Sequence, residues 1–221
     1  MDNENLQDQE LSSQPPKQDE ENVVSVWYGS GNGKFFRRRY FDGFTQYETL
    51  EADGKKVLHN VYVGYWYTQK LDRAARIRHR AAYILLFLVA AALTLIGCTR
   101  SIAANMPPYS GLFAFAGLLG CGWMAVSVFN EFTVPEKRTI GDYRASSLGL
   151  KRSGLMVTIA CGLLAVTTLV FTCIGSEKTG LHLLAFGCEL VAAACGMAVR
   201  VLESKVPYDK KLSELAGKYR M

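Results

Sequence analysis

Four long apolar runs dominate the pattern of hydrophobic and polar positions in this chain. They cover residues 81–98, 111–129, 153–175 and 181–199. Runs of about 18–20 apolar residues match the length with which a helix crosses a hydrocarbon core of ~30 Å. The first three runs contain no charged side chain, so they lack the polar face of a helix in a water-soluble bundle. The pattern predicts an all-α membrane protein with four transmembrane helices.

The two pairs of runs end in similar sequences. Met-Ala-Val, Val-Pro and Gly-x-Tyr-Arg motifs occur at 124–126, 134–135 and 141–144 in the first half, and at 197–199, 206–207 and 217–220 in the second. This match predicts two repeated helical hairpins. They would be related by an axis along the membrane normal, because each hairpin begins and ends on the same side. Chance agreement is the alternative, since membrane segments draw on a small set of residue types.

Basic residues flank the apolar runs unevenly. Five lie between 70 and 80, five between 137 and 152, and five between 205 and 220. The two connections on the opposite side hold one basic residue each. By the positive-inside rule, this alternation predicts an integral membrane protein whose N and C termini are both cytoplasmic. The plasma (inner) membrane is the expected location.

The rest of the sequence divides by composition. Residues 1–22 hold seven acidic side chains against one lysine, which predicts a disordered acidic tail. Residues 23–68 are rich in β-branched and aromatic positions and predict a small cytoplasmic β hairpin or meander. Residues 67–80 have the spacing of a helix that continues into the first span. Residues 69–204 then form the four-helix transmembrane domain, and residues 205–221 form a basic cytoplasmic tail.

Glu189 is the only acidic residue well inside an apolar run. A carboxylate at that depth costs on the order of a few kcal/mol, so its side chain is expected to face the bundle interior. If the third and fourth helices form an antiparallel hairpin, Thr167 and Thr168 lie at the same depth. These three residues are the candidate intramembrane polar site. Two interpretations follow: a proton or cation site in a transport path, or a polar contact that holds helices together.

A set of basic residues adjoins the predicted membrane surface. The candidate ligands for anionic lipid headgroups are Arg37, Arg38, Arg39, Arg76, Arg80, Lys137, Arg138, Lys151 and Arg152. Near a membrane surface each basic residue contributes ~1 kcal/mol to the binding of anionic lipid. The first three lie among aromatic residues, a pattern that also occurs in proteins that bind nucleic acid. Nucleic acid is the least favoured partner here, and a strand with solvated arginines is the simplest alternative.

No catalytic, metal-binding or cofactor-binding set of residues stands out in the sequence. The Gly-rich segment 29–33 before Lys34 lacks the Ser or Thr that a phosphate-binding loop needs. The six cysteines contain no C-x-x-C pair. We therefore expect a non-enzymatic accessory, regulatory or scaffold module, without cofactor or metal, that binds a membrane protein or a second copy of itself. The alternative is a small oligomeric transporter or channel that uses Glu189.

Overall fold

The computed structural model describes residues 23–28, 43–50, 55–99, 102–174 and 179–216. The predicted acidic tail, the three arginines from Arg37 to Arg39, and the second Gly-x-Tyr-Arg motif at 217–220 lie outside these residues. The chain divides into two compact units. One comprises Met1–Gly64 with Leu212–Met221, and the other comprises Tyr65–Lys211.

An antiparallel three-stranded sheet forms the described part of the first unit. Strand β1 (Val23–Tyr28) pairs with β2 (Phe44–Leu50), which pairs in turn with β3 (Lys56–Tyr62). Gly43 precedes β2 with a φ of 90°, a conformation that favours glycine, and its carbonyl accepts the Val63 amide at 2.7 Å. Part of the predicted β region is therefore a small antiparallel meander.

The second unit contains four long helices. They are α1 (Arg73–Thr99), α2 (Pro108–Thr133), α3 (Ile140–Cys173) and α4 (Thr179–Ser204). All four are long and apolar enough to cross a membrane, so the prediction of four apolar helices is confirmed. The structure is compatible with a multi-pass integral membrane protein.

Local sequence signals mark the boundary between α2 and α3. Helix α2 ends at Thr133, and Val134 is extended (φ −82°, ψ 135°), because the following proline disfavours a helical conformation there. Helix α3 begins with a capping box in which the Thr139 side chain accepts the Asp142 amide and the Asp142 carboxylate accepts the Thr139 amide. A π-helical turn, Arg144–Leu148, follows near the start of α3.

The prediction of one helix over residues 67–80 is wrong at its N-terminal end. Tyr67 lies in a strand, β4 (Tyr65–Gln69), and α1 begins only at Arg73. Asp72 explains the later start, because its carboxylate accepts the Ala75 amide at 3.0 Å and so caps the first turn.

A second small sheet, absent from the sequence-based prediction, lies at one end of the helices. Its order is β5–β4–β6, where β5 is Lys137–Arg138 and β6 is Tyr208–Leu212. Each flanking strand follows a long helix and a Val-Pro pair, β5 after α2 and β6 after α4. The segment predicted as a basic tail therefore contains a strand. Along β5 the side chains alternate, with Lys137 exposed and Arg138 buried.

The helices of the second unit pack around a common core. Buried side chains from all four contribute, including Tyr83, Met124, Val157 and Val199. Helices α3 and α4 are in close backbone contact at Gly154 and Gly196, where a Cβ added to either glycine would lie within 2.7 Å of the other glycine's carbonyl oxygen. Small residues at such crossings let helix backbones touch within a membrane.

Candidate functional site

Five polar side chains meet in the N-terminal half of α1 and at the C-terminal ends of α2 and α4. We call them the buried polar cluster: Tyr83 from α1, Glu131 from α2, Arg138 from β5, Glu203 from α4 and Tyr208 from β6. Arg138 and Glu203 are each 0% exposed. Buried charges are costly unless they are paired and hydrogen-bonded, so the contacts of this cluster determine what it can do.

Arg138 lies at the centre of the buried polar cluster. Its Nη1 and Nη2 donate to the two carboxylate oxygens of Glu131 at 2.8 and 2.6 Å, a bidentate pair. The guanidinium also donates to Ser146 Oγ in the π-helical turn and to Gln69 Oε1 on β4. Burial by itself lowers the pKa of Arg138, but the hydrogen bonds and charge of Glu131 outweigh burial and raise it. The cation is therefore held in place.

Glu203 is bound by two tyrosines rather than directly by the cation. The Tyr83 hydroxyl donates to its Oε2 at 2.6 Å, and the Tyr208 hydroxyl donates to its Oε1 at 2.8 Å. Arg138 Nη1 donates to the Tyr208 hydroxyl oxygen at 3.2 Å. Burial, and next the charge of Glu203, raise the pKa of Tyr208. All four carboxylate oxygens of the two glutamates thus accept hydrogen bonds, and the Arg138 guanidinium binds Glu131 directly and Glu203 through Tyr208.

The sequence-based prediction included neither glutamate of this cluster and placed Arg138 at a lipid headgroup. The structure instead buries the Arg138 side chain, because Glu131 neutralises it inside the protein. One signal was available: Glu131 and Glu203 each stand three residues before a Val-Pro pair, so both halves contain Glu-x-x-Val-Pro. That shared spacing brings the two acids to the same end of the bundle.

Glu189 lies fourteen residues before Glu203 on α4 and is also 0% exposed. Its Oε2 accepts a hydrogen bond from Thr168 Oγ1 at 2.8 Å. Thr167, the other candidate partner, donates instead to the carbonyl of Leu163 in its own helix. Helix α1 also packs here, since a Cβ added to Gly97 would lie 3.0 Å from Glu189 Cγ. Three helices therefore meet at this carboxyl group.

Two polar atoms on this part of α4 have no hydrogen-bond partner among the residues that the structure describes. They are Glu189 Oε1 and His182 Nδ1. The two residues are seven positions apart, so they lie on one helix face, and both side chains are buried. A carboxyl oxygen and an imidazole nitrogen without a protein partner can form a further hydrogen bond or ligate a small cation.

The other candidate headgroup ligands have different surroundings. Arg76 forms an ion pair with Glu136 and lowers the pKa of that carboxyl group through its hydrogen bond and charge. Arg80 lies over the Phe132 ring at 5.3 Å, and Lys137 lies over the Trp66 ring at 4.6 Å. Lys151 is half-buried and Arg152 is exposed. Within the described ranges, no group of three or more His, Cys, Asp or Glu side chains is placed to hold a metal ion.

No protein-family model matches this sequence, and neither a curated protein nor a solved structure shows significant similarity to it. The chemistry of the two buried sites therefore has to be inferred from their own residues. In the buried polar cluster every carboxylate oxygen accepts a hydrogen bond. At Glu189 one carboxyl oxygen has no partner among the described residues.

Proposed function

We propose that this chain is a non-enzymatic membrane module that acts as an accessory, regulatory or scaffold subunit. The observation that carries the proposal is the buried polar cluster, in which both glutamates have their two oxygens occupied by protein donors. Such a cluster fixes helix ends to the small sheet and offers no free acid or nucleophile to a substrate. A rigid bundle of this kind suits a role in holding another protein.

Large apolar side chains on the outer helix faces supply the contact surface that such a role needs. Leu112, Phe115 and Phe129 on α2 are each more than half exposed, as are Leu85 and Leu88 on α1. A membrane-protein partner or a second copy of the chain would cover part of these faces, and lipid would cover the rest.

The proposal also covers the orientation of the chain in the membrane, the membrane in which it lies and its internal repeat. We infer that the protein lies in the plasma (inner) membrane with both termini in the cytoplasm. Its basic residues concentrate in three segments on the same side of the four helices. The equal placement of Glu131 and Glu203 before the Val-Pro pairs favours an internal repeat of two helical hairpins. A topology reporter fused to the C terminus should be active only on the cytoplasmic side, and activity outside would contradict the orientation.

The test of the module proposal is the composition of the complex in native membranes. The full tagged chain is extracted in mild detergent and its assemblies are weighed by native mass spectrometry. We expect a complex with a different membrane protein at a fixed ratio. A homogeneous oligomer of this chain alone, with ion flux after reconstitution, would contradict the proposal.

A small oligomeric transporter or channel is the second candidate, favoured by the unbound Glu189 Oε1 and His182 Nδ1. In that case Glu189→Gln should abolish proton-coupled or cation-coupled flux into vesicles. Thr167→Val is the matched control, because Thr167 bonds only within its own helix. Equal flux from the native chain and from Glu189→Gln would remove this candidate.

A further inference from the structure

An open groove runs along the outer surface between α2 and α3. It has a volume of about 350 Å³ and is lined by Phe113 and Ala116 from α2 and by Met156, Ile159 and Leu163 from α3. The two helices are in close contact at Gly120, where an added Cβ would lie 2.9 Å from the Val157 side chain. Nearly the whole lining is apolar.

One charged side chain, Arg152, completes the lining of this groove. It immediately precedes the apolar run of α3, where a helix meets the membrane surface. Arg76, Arg80 and Arg138 each contact an acid or an aromatic ring of the protein. Arg152, by contrast, makes no hydrogen bond or ion pair with any residue in the described part of the chain. At one end of the groove, therefore, lies a cation that no described residue neutralises.

The length of the groove favours a lipid chain over a transmembrane helix as its occupant. From Arg152 to Leu163 an α-helix rises about 16 Å. That is about half of a hydrocarbon core of ~30 Å, the thickness of one leaflet. A docked transmembrane helix would need a surface that continues across the whole core, whereas one acyl chain reaches only the middle of the bilayer.

We propose that the α2–α3 groove binds an anionic phospholipid, with the headgroup phosphate at Arg152 and one acyl chain along Met156, Ile159 and Leu163. The lipid belongs to the leaflet on the Arg152 side of the membrane. The guanidinium supplies paired N–H donors for phosphate oxygens, and the apolar walls take the chain. This site does not depend on the role proposed above for the whole protein.

Trp123 provides a local probe of the groove. It is exposed on α2, seven residues beyond Ala116, and so lies on the same helix face nearer to Arg152. The full chain with Trp27→Phe and Trp66→Phe retains Trp123 as its only tryptophan. It is reconstituted into phosphatidylcholine vesicles that contain increasing mole fractions of brominated phosphatidylglycerol or of brominated phosphatidylcholine, over the same range, and fluorescence quenching is measured.

We expect half-maximal quenching by the brominated anionic lipid at a mole fraction about fivefold lower than for the zwitterionic lipid, the preference that one basic residue provides. Arg152→Gln should abolish this preference. Lys205→Gln, which removes an exposed charge just after α4, should preserve it. Ala116→Leu, which fills the floor of the groove, should reduce quenching by both lipids.

Two results would overturn the proposal. One is equal quenching by both lipids, or a preference that survives Arg152→Gln in a chain of unchanged helix content. The other is no quenching by either lipid, which would mean that a second copy or a partner protein covers the groove.

Discussion

Glu189 and Glu203 lie fourteen residues apart on the same face of α4, and both side chains are 0% exposed. Glu203 accepts hydrogen bonds at both oxygens from two tyrosines, with Arg138 one hydrogen bond away. Glu189 accepts one bond, from Thr168, and its other oxygen is unbound. Two identical side chains on one helix therefore differ in role because their neighbours supply different numbers of donors.

The two glutamates should also differ in how much they contribute to stability. Removing one member of a buried, hydrogen-bonded charge pair leaves the other uncompensated, at a cost of about 3–5 kcal/mol. Interhelical side-chain hydrogen bonds in membrane proteins average only ~0.6 kcal/mol. Substitutions in the buried polar cluster should therefore affect stability far more than substitutions around Glu189.

Arg138→Leu should have the largest effect. It leaves Glu131 buried without a counter-charge, so the free energy of unfolding in mixed micelles should fall by about 3–5 kcal/mol. Lys137→Leu, on the exposed side of the same strand, is the matched control and should change stability little. Adding Glu131→Leu to Arg138→Leu should recover much of the loss. Equal free energies of unfolding for Arg138→Leu and Lys137→Leu would contradict the expected difference in stability between the buried polar cluster and the region around Glu189.

The raised pKa of Tyr208 should make the stability of the protein depend on pH. Its pKa is raised in the folded state, so the folded chain keeps the proton at a pH where the unfolded chain, with a tyrosine pKa of about 10, loses it. Its contribution is constant below pH ~10 and is lost above it, at about 1.4 kcal/mol per pH unit. Unfolding measured between pH 8 and about pH 11 should show a shallower decline in Tyr208→Phe than in the native chain. Identical slopes would show that Tyr208 does not carry this dependence.

Gly97→Ala tests the packing around Glu189. The added methyl group would meet Glu189 Cγ at 3.0 Å, so one side chain must shift, at a cost of about 1 kcal/mol. The cost should disappear in a Glu189→Ala background, because the crowded group is gone. Gly162→Ala, where an added Cβ meets nothing within 4 Å, is the control. An equal cost for Gly97→Ala in both backgrounds would mean that α1 does not pack on Glu189.

The smallest effect is expected at Glu189 itself. Glu189→Gln keeps the shape and the bond from Thr168, so stability should be nearly unchanged. Glu189→Leu loses that bond and should cost roughly the ~0.6 kcal/mol average for membrane hydrogen bonds. Unfolding in mixed micelles measures both variants. A loss of several kcal/mol in Glu189→Gln would mean that Glu189 contributes as much to stability as the buried polar cluster does.

The sequence by itself determined the four apolar helices, because length and high mean hydropathy are local properties that can be read without coordinates. It also singled out Glu189, since an acid inside an apolar run is visible without coordinates. Thr168 followed from the depth at which an antiparallel hairpin places it, although sequence could not choose between Thr168 and Thr167. That choice depends on which way each side chain faces.

Only the tertiary structure decided the buried polar cluster. Tyr83 and Glu203 are 120 positions apart, and Arg138 and Tyr208 are 70 apart, so no local pattern connects them. Strand β5 has two residues and shows no periodicity, yet its alternation turns Arg138 inward and Lys137 outward. A basic residue beside an apolar run looks the same in sequence whether it meets a lipid or a buried glutamate. The donors and acceptors that distinguish these cases come from distant segments, which only the folded chain brings together.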